Sequence, residues 1–168
     1  MTIKDIQKQT NINIKDKANL IWNIATHLVG LYKPHQYGNV ILPFTVLKRF
    51  DDILKTTKSA VVAKAEELKK TAIDDNLKDT VLRKTSGYDF YNTSKFDFEK
   101  LISDPVNIES NFNDYLIGFS DNVKDIISNF KLADEVKTLS ENGKLFIVIQ
   151  EFNSANADMS LEKITSTD

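Results

Sequence analysis

The stretch GLYKPHQYGNVILPFTVLKRFDDIL, residues 30–54, organises the prediction of the fold. It opens with a loop, because Lys33 precedes Pro34 and is driven out of the α region. From Gly38 to Leu54 the apolar residues recur at helical spacing, which predicts a buried face made of Val40, Ile41, Phe44, Leu47, Phe50 and Ile53 or Leu54. Pro43 lies inside this pattern, where its missing N–H predicts a kink or the true start of the helix.

Helical patterns continue on both sides of this stretch. Upstream, DKANLIWNIATHLVGL carries one apolar stripe and predicts a helix, with Trp22 as a core or interface anchor and core packing favoured. Downstream, apolar periodicity and capping residues predict short helices in SAVVAKAEELKKTA, DDNLKDTVLRKT, FDFEKLISD, NIESNFNDYLIGF, SDNVKDIISNF, LADEVKTLSEN and KLFIVIQEF. Residues 86–97 alternate aromatic with small polar side chains, which predicts a loop or a short hairpin. The fold prediction is an all-α, compact domain of about eight or nine helices over residues 16–165, after a flexible lead-in at 1–15.

The composition excludes several classes of protein. The apolar fraction is 41% and the charged fraction 27%, which is typical of a globular domain rather than a disordered chain. The sequence has no cysteine, so it offers neither disulfides nor cysteine-ligated metal sites. The longest apolar runs are too short to span a bilayer, and no signal-peptide pattern opens the chain. A cytoplasmic location is therefore expected.

Charge is distributed unevenly along the chain. Residues 1–70 carry 12 Lys and Arg against 6 Asp and Glu, whereas residues 101–168 carry 5 against 12. A basic front and an acidic back can orient a molecule towards a polyanion such as DNA. A solvated surface of mixed charge explains the same pattern equally well.

The sequence contains no recognisable catalytic, cofactor or metal motif. His27 and His35 are the two histidines and do not form a ligand pair, and the five glycines are isolated, so no phosphate loop exists. Adjacent carboxylates occur at Asp51–Asp52, Glu66–Glu67 and Asp74–Asp75. Neighbours on a helix point in different directions, so these pairs are interpreted as solvated faces or ion pairs rather than acid–base dyads.

Two long segments carry a resemblance to a known family. They are LIWNIATHLVGLYKPHQYGNVILPFTVLKRFDDIL and, in the second half, NIESNFNDYLIGFSDNVKDII. Together they resemble the N-terminal helical domain of the modification (M) subunit of type I restriction–modification systems, which are N6-adenine DNA methyltransferases. The resemblance covers about residues 17–165.

The resemblance implies a set of partners and a reaction for the full-length family protein. Such a subunit uses S-adenosylmethionine and acts with a specificity (S) subunit, a second M subunit, a restriction (R) subunit and double-stranded DNA. The family's cofactor motif and its N-P-P-[FY] catalytic motif are absent here. This chain is therefore expected to lack the catalytic domain, to bind no cofactor and to be inactive on its own.

The resemblance also suggests where contacts would lie. A domain that clamps DNA would hold the backbone without reading sequence, and Lys33, His35, Lys48 and Arg49 are the candidate contacts to phosphate or a partner. Each could equally be a solvated surface cation, and Lys48 and Arg49 diverge by about 100° on a helix. Tyr32 and Tyr37 are candidate interface aromatics, while Phe44 is expected in the core. The alternative function is an assembly module that makes no direct DNA contact.

Overall fold

A computed structural model describes residues 2–6, 8 and 18–154. Within these residues the chain is helical and forms no strand, which confirms the all-α prediction. A 3₁₀ turn spans Pro34–Gln36. The α-helices, in chain order, are α1 Ala18–Leu28, α2 Tyr37–Leu54, α3 Lys58–Lys69, α4 Asp75–Ser86, α5 Phe98–Leu101, α6 Ile108–Ile117, α7 Asp121–Asn129, α8 Leu132–Glu141 and α9 Leu145–Phe152.

Helix α2 is the centre of the domain, and its predicted face is confirmed. All seven of the predicted apolar positions are buried, including Phe44. Burial extends beyond that face to Thr45, Lys48 and Arg49, so the helix is surrounded on most sides. Pro43 lies in the second turn without ending the helix. Its missing N–H would have paired with the carbonyl of Asn39, an exposed residue near the helix start, where water can serve instead.

An aromatic cluster joins α2 to the second half of the chain. Phe98, in the short helix α5, has ring centroids 5.9 Å from Tyr115 and 6.2 Å from Phe152. Phe44 lies 5.6 Å from Phe112. Such tilted and edge-on pairs add to the burial of large apolar surface. The cluster therefore fixes α2, α5, α6 and α9 together in one core.

Helices α3 and α4 form a hairpin with a small core of its own. That core consists of Val61, Ala65, Leu68 and Leu82, and it is separate from the main cluster. Side chains at the base of the hairpin bond to the rest of the domain. Lys58 Nζ donates to Asn92 Oδ1 at 2.8 Å, which ties α3 to the loop after α4.

The segment 86–97 is a loop that docks on the end of α6. Within the described residues, the one β-bridge that this loop makes joins Asn92 to Phe119. The segment therefore forms the predicted loop and not a hairpin. The Thr93 amide donates to the Gly118 carbonyl at 2.8 Å, and the Asn92 side-chain amide donates to the Tyr115 carbonyl at 2.9 Å. A Cβ at Gly118 would stand 2.6 Å from the Ser94 backbone nitrogen. The loop can approach this closely only because residue 118 is glycine.

Two predictions about the first part of the chain need correction. Of the two predicted roles of Trp22, core packing was favoured, but the residue is 72% exposed, so this role is wrong and the interface role stays a prediction. The apolar stripe of α1 buries Leu20, Ile24 and Leu28 instead, and Trp22 lies off that stripe. Residues 3–6, predicted as flexible lead-in, form a helical turn that buries Ile3 and Ile6 against the main core. The rest of the lead-in, and the predicted domain beyond residue 154, lie outside the described residues.

Candidate functional site

A polar cavity of about 550 Å³ opens beside the C-terminal half of α2. Helices α2 and α3, the docked loop and helices α5 and α6 each contribute side chains to its wall. The charged and polar members are Lys48, Asp51, Asp52, Lys55, Lys58, Asn92, Asp97, Glu99, Tyr115, Asn153 and Ser154. Charged side chains that converge in a concave space make it a candidate binding site.

Asp51 faces Tyr115 across this cavity. The Tyr115 hydroxyl donates to Asp51 Oδ1 at 2.9 Å. Burial raises the pKa of the Asp51 carboxyl to about 6, and the Tyr115 hydrogen bond only partly opposes it. Burial and the neighbouring Asp51 charge also raise the pKa of Tyr115 well above its usual value. The pair therefore holds a carboxyl that takes up a proton in mildly acidic solution.

Asp52, which also lines the cavity, pairs with Lys48. Lys48 Nζ lies 2.6 Å from Asp52 Oδ1, one helical turn away, and both side chains are about one-tenth exposed. Lys48 Nζ also lies 5.8 Å from the centre of the Phe98 ring. The ion-pair interpretation is thus confirmed for Asp52. It is wrong for Asp51, which instead bonds to a buried tyrosine.

Lys58, the first residue of α3, also lines the cavity. Its Nζ donates to Asn92 Oδ1 and lies 5.6 Å from the centre of the Tyr115 ring. Burial lowers the pKa of Lys58 to about 8, and the negative charge of Asp51 works against that fall. The cavity therefore combines an amine and a carboxyl that both change charge within about one to two pH units of neutrality.

Sequence reasoning missed this cavity because its members are far apart in the chain. Asp51, Lys58, Asn92 and Tyr115 come from four different segments that packing alone brings together. The one available signal was the Asp51–Asp52 pair. No cluster of His, Cys, Asp and Glu suited to a metal ion occurs among the described residues.

The structure places Lys33 and His35 on the surface. Both are exposed and flank Pro34 in the 3₁₀ turn that links α1 to α2. Tyr32 and Tyr37, at either end of that turn, are half-buried. The Tyr32 hydroxyl donates to Glu135 Oε2 at 2.6 Å, and burial together with that carboxylate raises the pKa of Tyr32. Tyr32 thus joins the turn to α8, while Lys33 and His35 face solvent.

Lys48 and Arg49 occupy a different environment from the one predicted. Lys48 is 8% exposed and Arg49 is 0% exposed, so neither is a solvated surface cation. Burial lowers the pKa of the Arg49 guanidinium, and the nearby Asp52 opposes that effect. In this conformation the two side chains do not present their charge to a phosphate. The reason is that α2 lies within the domain, where even its polar positions meet other helices.

Comparison with known families identifies the domain. The family described as the HsdM N-terminal domain matches residues 17–152, most of the chain. The chain belongs to this family. It is the N-terminal domain of a modification subunit of a type I restriction–modification system, as its sequence resemblance predicted. No curated protein and no solved structure matches the chain.

The matched region of the HsdM N-terminal domain includes most of the geometry above. It covers the Lys33–His35 turn, the loop that docks at Gly118 and every cavity-lining residue except Asn153 and Ser154. The family places the domain in the context of a multi-subunit restriction–modification complex. Among the described residues, no helix has the length and apolar character needed to cross a membrane.

Proposed function

We propose that this HsdM N-terminal domain clamps double-stranded DNA without reading its sequence, and that it also contacts neighbouring subunits. The family match over residues 17–152 is the observation that supports the proposal, since this family implies the context of a type I restriction–modification complex. In that setting the parent subunit would be an N6-adenine methyltransferase that uses S-adenosylmethionine. Its partners would be the S subunit, a second M subunit and the R subunit.

The exposed turn after α1 supports the DNA contact. Lys33 and His35 extend from a turn stiffened by Pro34, so little conformational freedom would be lost when they meet a phosphate. The excess of basic residues over residues 1–70 favours the same half of the chain for contact with a polyanion. With Lys48 and Arg49 buried, this turn holds the surface cations of the predicted set.

A charge reversal tests this contact. Lys33→Glu is expected to weaken binding of labelled duplex DNA several-fold near 50 mM salt, because one phosphate contact becomes repulsive. Lys137→Glu is the matched control, since Lys137 is an exposed lysine with the same change of charge in the acidic half of the chain. Fluorescence anisotropy would give both affinities. Equal affinities for the two variants would contradict a role for the turn.

A purely assembling function is the second candidate, and the exposure of Trp22 favours it. Trp22, in α1, and Val29, which directly follows the end of α1, are both large, apolar and exposed. Exposed tryptophans are enriched among residues that dominate protein interfaces. If α1 docks on another subunit, these two side chains would be the ones to become buried.

Trp22 reports on this possibility directly, because it is the only tryptophan in the chain. Adding the S subunit or a second M subunit should shift its fluorescence to shorter wavelength as the ring leaves water. Trp22→Ser should weaken that association while changing the free energy of unfolding by no more than about 0.5 kcal/mol, as expected for an exposed site. Unchanged association by the variant would exclude α1 as the docking surface.

A further inference from the structure

The amine of Lys58 occupies a setting unlike that of the other lysines on its helix. It lies half-buried in the wall of the 550 Å³ cavity, with Asn92 Oδ1 as its hydrogen-bond acceptor. Within the described part of the chain no carboxylate reaches ion-pair distance of it. By contrast, Lys64 and Lys69 extend into solvent from the same helix and pair with Glu67 and Glu66.

Burial makes the charged form of Lys58 less favourable than it is for a lysine in water. Tyr115 presents a ring face rather than a charge, and Asn92 accepts a bond without neutralising the cation. Charged groups stand farther out on every packed element, and they are Lys48, Asp51, Asp52, Lys55, Asp97, Glu99, Lys100 and Asp114. Desolvation exceeds their net attraction and lowers the pKa of Lys58 to about 8. A neutral amine is a nucleophile, whereas an ammonium is not.

We propose that Lys58 is a covalent modification site, acylated by small acyl donors such as acyl phosphates that enter the polar cavity. The cavity supplies room for the donor and for the amide that forms. The neutral Nζ attacks the carbonyl carbon and forms a C–N bond. The adduct then expels phosphate with the electron pair of the broken C–O bond, and the proton on nitrogen passes to water. The products are an Nε-acyl lysine and inorganic phosphate.

Acylation would change how the hairpin is held. The modified side chain keeps one N–H for Asn92 but loses its positive charge opposite Asp51. The bond between α3 and the docked loop would then be a neutral hydrogen bond, which is weaker than a charge-assisted one. Modification is therefore expected to loosen the α3–α4 hairpin from the main core.

Competitive labelling of the whole chain tests the proposal. The 168-residue protein is treated with limiting acetyl phosphate at pH 7.5, then denatured and fully acetylated with an isotopically heavy reagent. Mass spectrometry gives the light fraction at every lysine. Lys55 and Lys69 serve as internal references, because they belong to the same region and their side chains are 72% and 70% exposed.

We expect Lys58 to carry at least about ten times more light label than either reference. Lowering the pKa of Lys58 from 10.5 to about 8 raises its neutral fraction at pH 7.5 about two-hundredfold, and lower nucleophilicity and narrower access offset part of this gain. The excess should shrink as pH rises from 7.5 to 9.5 and vanish in denaturant. Asp51→Asn should enlarge the excess, because it removes a charge that stabilises the ammonium. Label at Lys58 equal to or below that at Lys69, or a ratio that does not change with pH, would overturn the proposal.

Discussion

At the scale of single residues, the polar cavity shows how packing turns ordinary side chains into unusual ones. Asp51 and Asp52 are neighbours in sequence, yet one bonds to Tyr115 and the other to Lys48. Their divergence on a helix was predictable. Which of the two would meet a cation was not, since Tyr115 lies 64 residues away. The partner determines how easily a buried carboxyl ionises. A cation stabilises the carboxylate form, whereas a hydrogen bond from a tyrosine hydroxyl offsets the cost of burying that form only in part.

The raised pKa of Asp51 predicts a pH-dependent stability. A carboxyl whose pKa is higher in the folded state than in the unfolded state binds protons more tightly when folded. Its contribution to stability is therefore lost as pH rises from about 4 to about 6. Asp51→Asn retains an oxygen for Tyr115 but cannot ionise. We expect the free energy of unfolding of Asp51→Asn, minus that of the wild-type protein, to rise by about 2 kcal/mol from pH 4 to pH 7.

Denaturant unfolding of the two proteins at several pH values measures this difference. Asp75→Asn is a suitable control, because Asp75 lies exposed in the first turn of α4. A difference between Asp51→Asn and the unmodified protein that stays constant from pH 4 to pH 7 would show that Asp51 ionises normally in the fold.

At the scale of elements, the segment YLIGFSDNV, residues 115–123, is the site on which the loop before α5 docks. The Ser120 hydroxyl accepts from the Tyr91 amide, and the Ser120 amide donates to the Tyr91 carbonyl. The Asn122 side chain donates to the Asp89 carbonyl at 2.8 Å. Ser120 and Asn122 thus satisfy the backbone of a loop that forms no strand.

Gly118 is the position of this docking site where a larger side chain would meet the closest contacts. Gly118→Ala would place a methyl group against the Ser94 backbone, the Ser94 Cβ and Asn92 Oδ1, all within 2.8 Å. Overpacking of this kind costs about 1–3 kcal/mol, because backbone cannot move aside as a flexible side chain can. Gly38→Ala is the control, since nothing lies within 4 Å of its Cβ position. Thermal unfolding that ranks Gly118→Ala no lower than Gly38→Ala would contradict the docking account.

The helices themselves were largely predictable, whereas the environment of their polar residues was not. Apolar periodicity located α2 to within one residue at its start and reached its end at Leu54. The same periodicity implies one buried face, but α2 is a central helix and buries Lys48 and Arg49 as well. Conversely, Trp22 of α1 is exposed. The burial of a helical side chain depends on whether another helix covers the face on which that side chain lies. The sequence pattern specifies which face of a helix must be buried. It does not specify how much of the remaining helix surface the neighbouring helices also bury.

At the scale of the whole molecule, the charge asymmetry acts on a partner only through the charges that remain exposed on the surface. Buried and paired charges such as Lys48 and Asp52 add nothing to the field that a distant polyanion meets at the surface. Exposed cations such as Lys33 do contribute, and their effect is screened by salt over about 10 Å at 0.1 M. A domain of this kind would hold DNA weakly and without sequence preference until other subunits add their contacts.

The measurement that tests the central claim most directly is a titration of the 168-residue chain into labelled duplex DNA at about 50 and about 200 mM salt. The clamp account predicts binding at the lower salt that weakens steeply at the higher salt, with equal affinity for duplexes of unrelated sequence. Absence of binding at both salt concentrations would contradict a direct DNA contact by this domain and leave subunit assembly, through the exposed Trp22 face of α1, as its function.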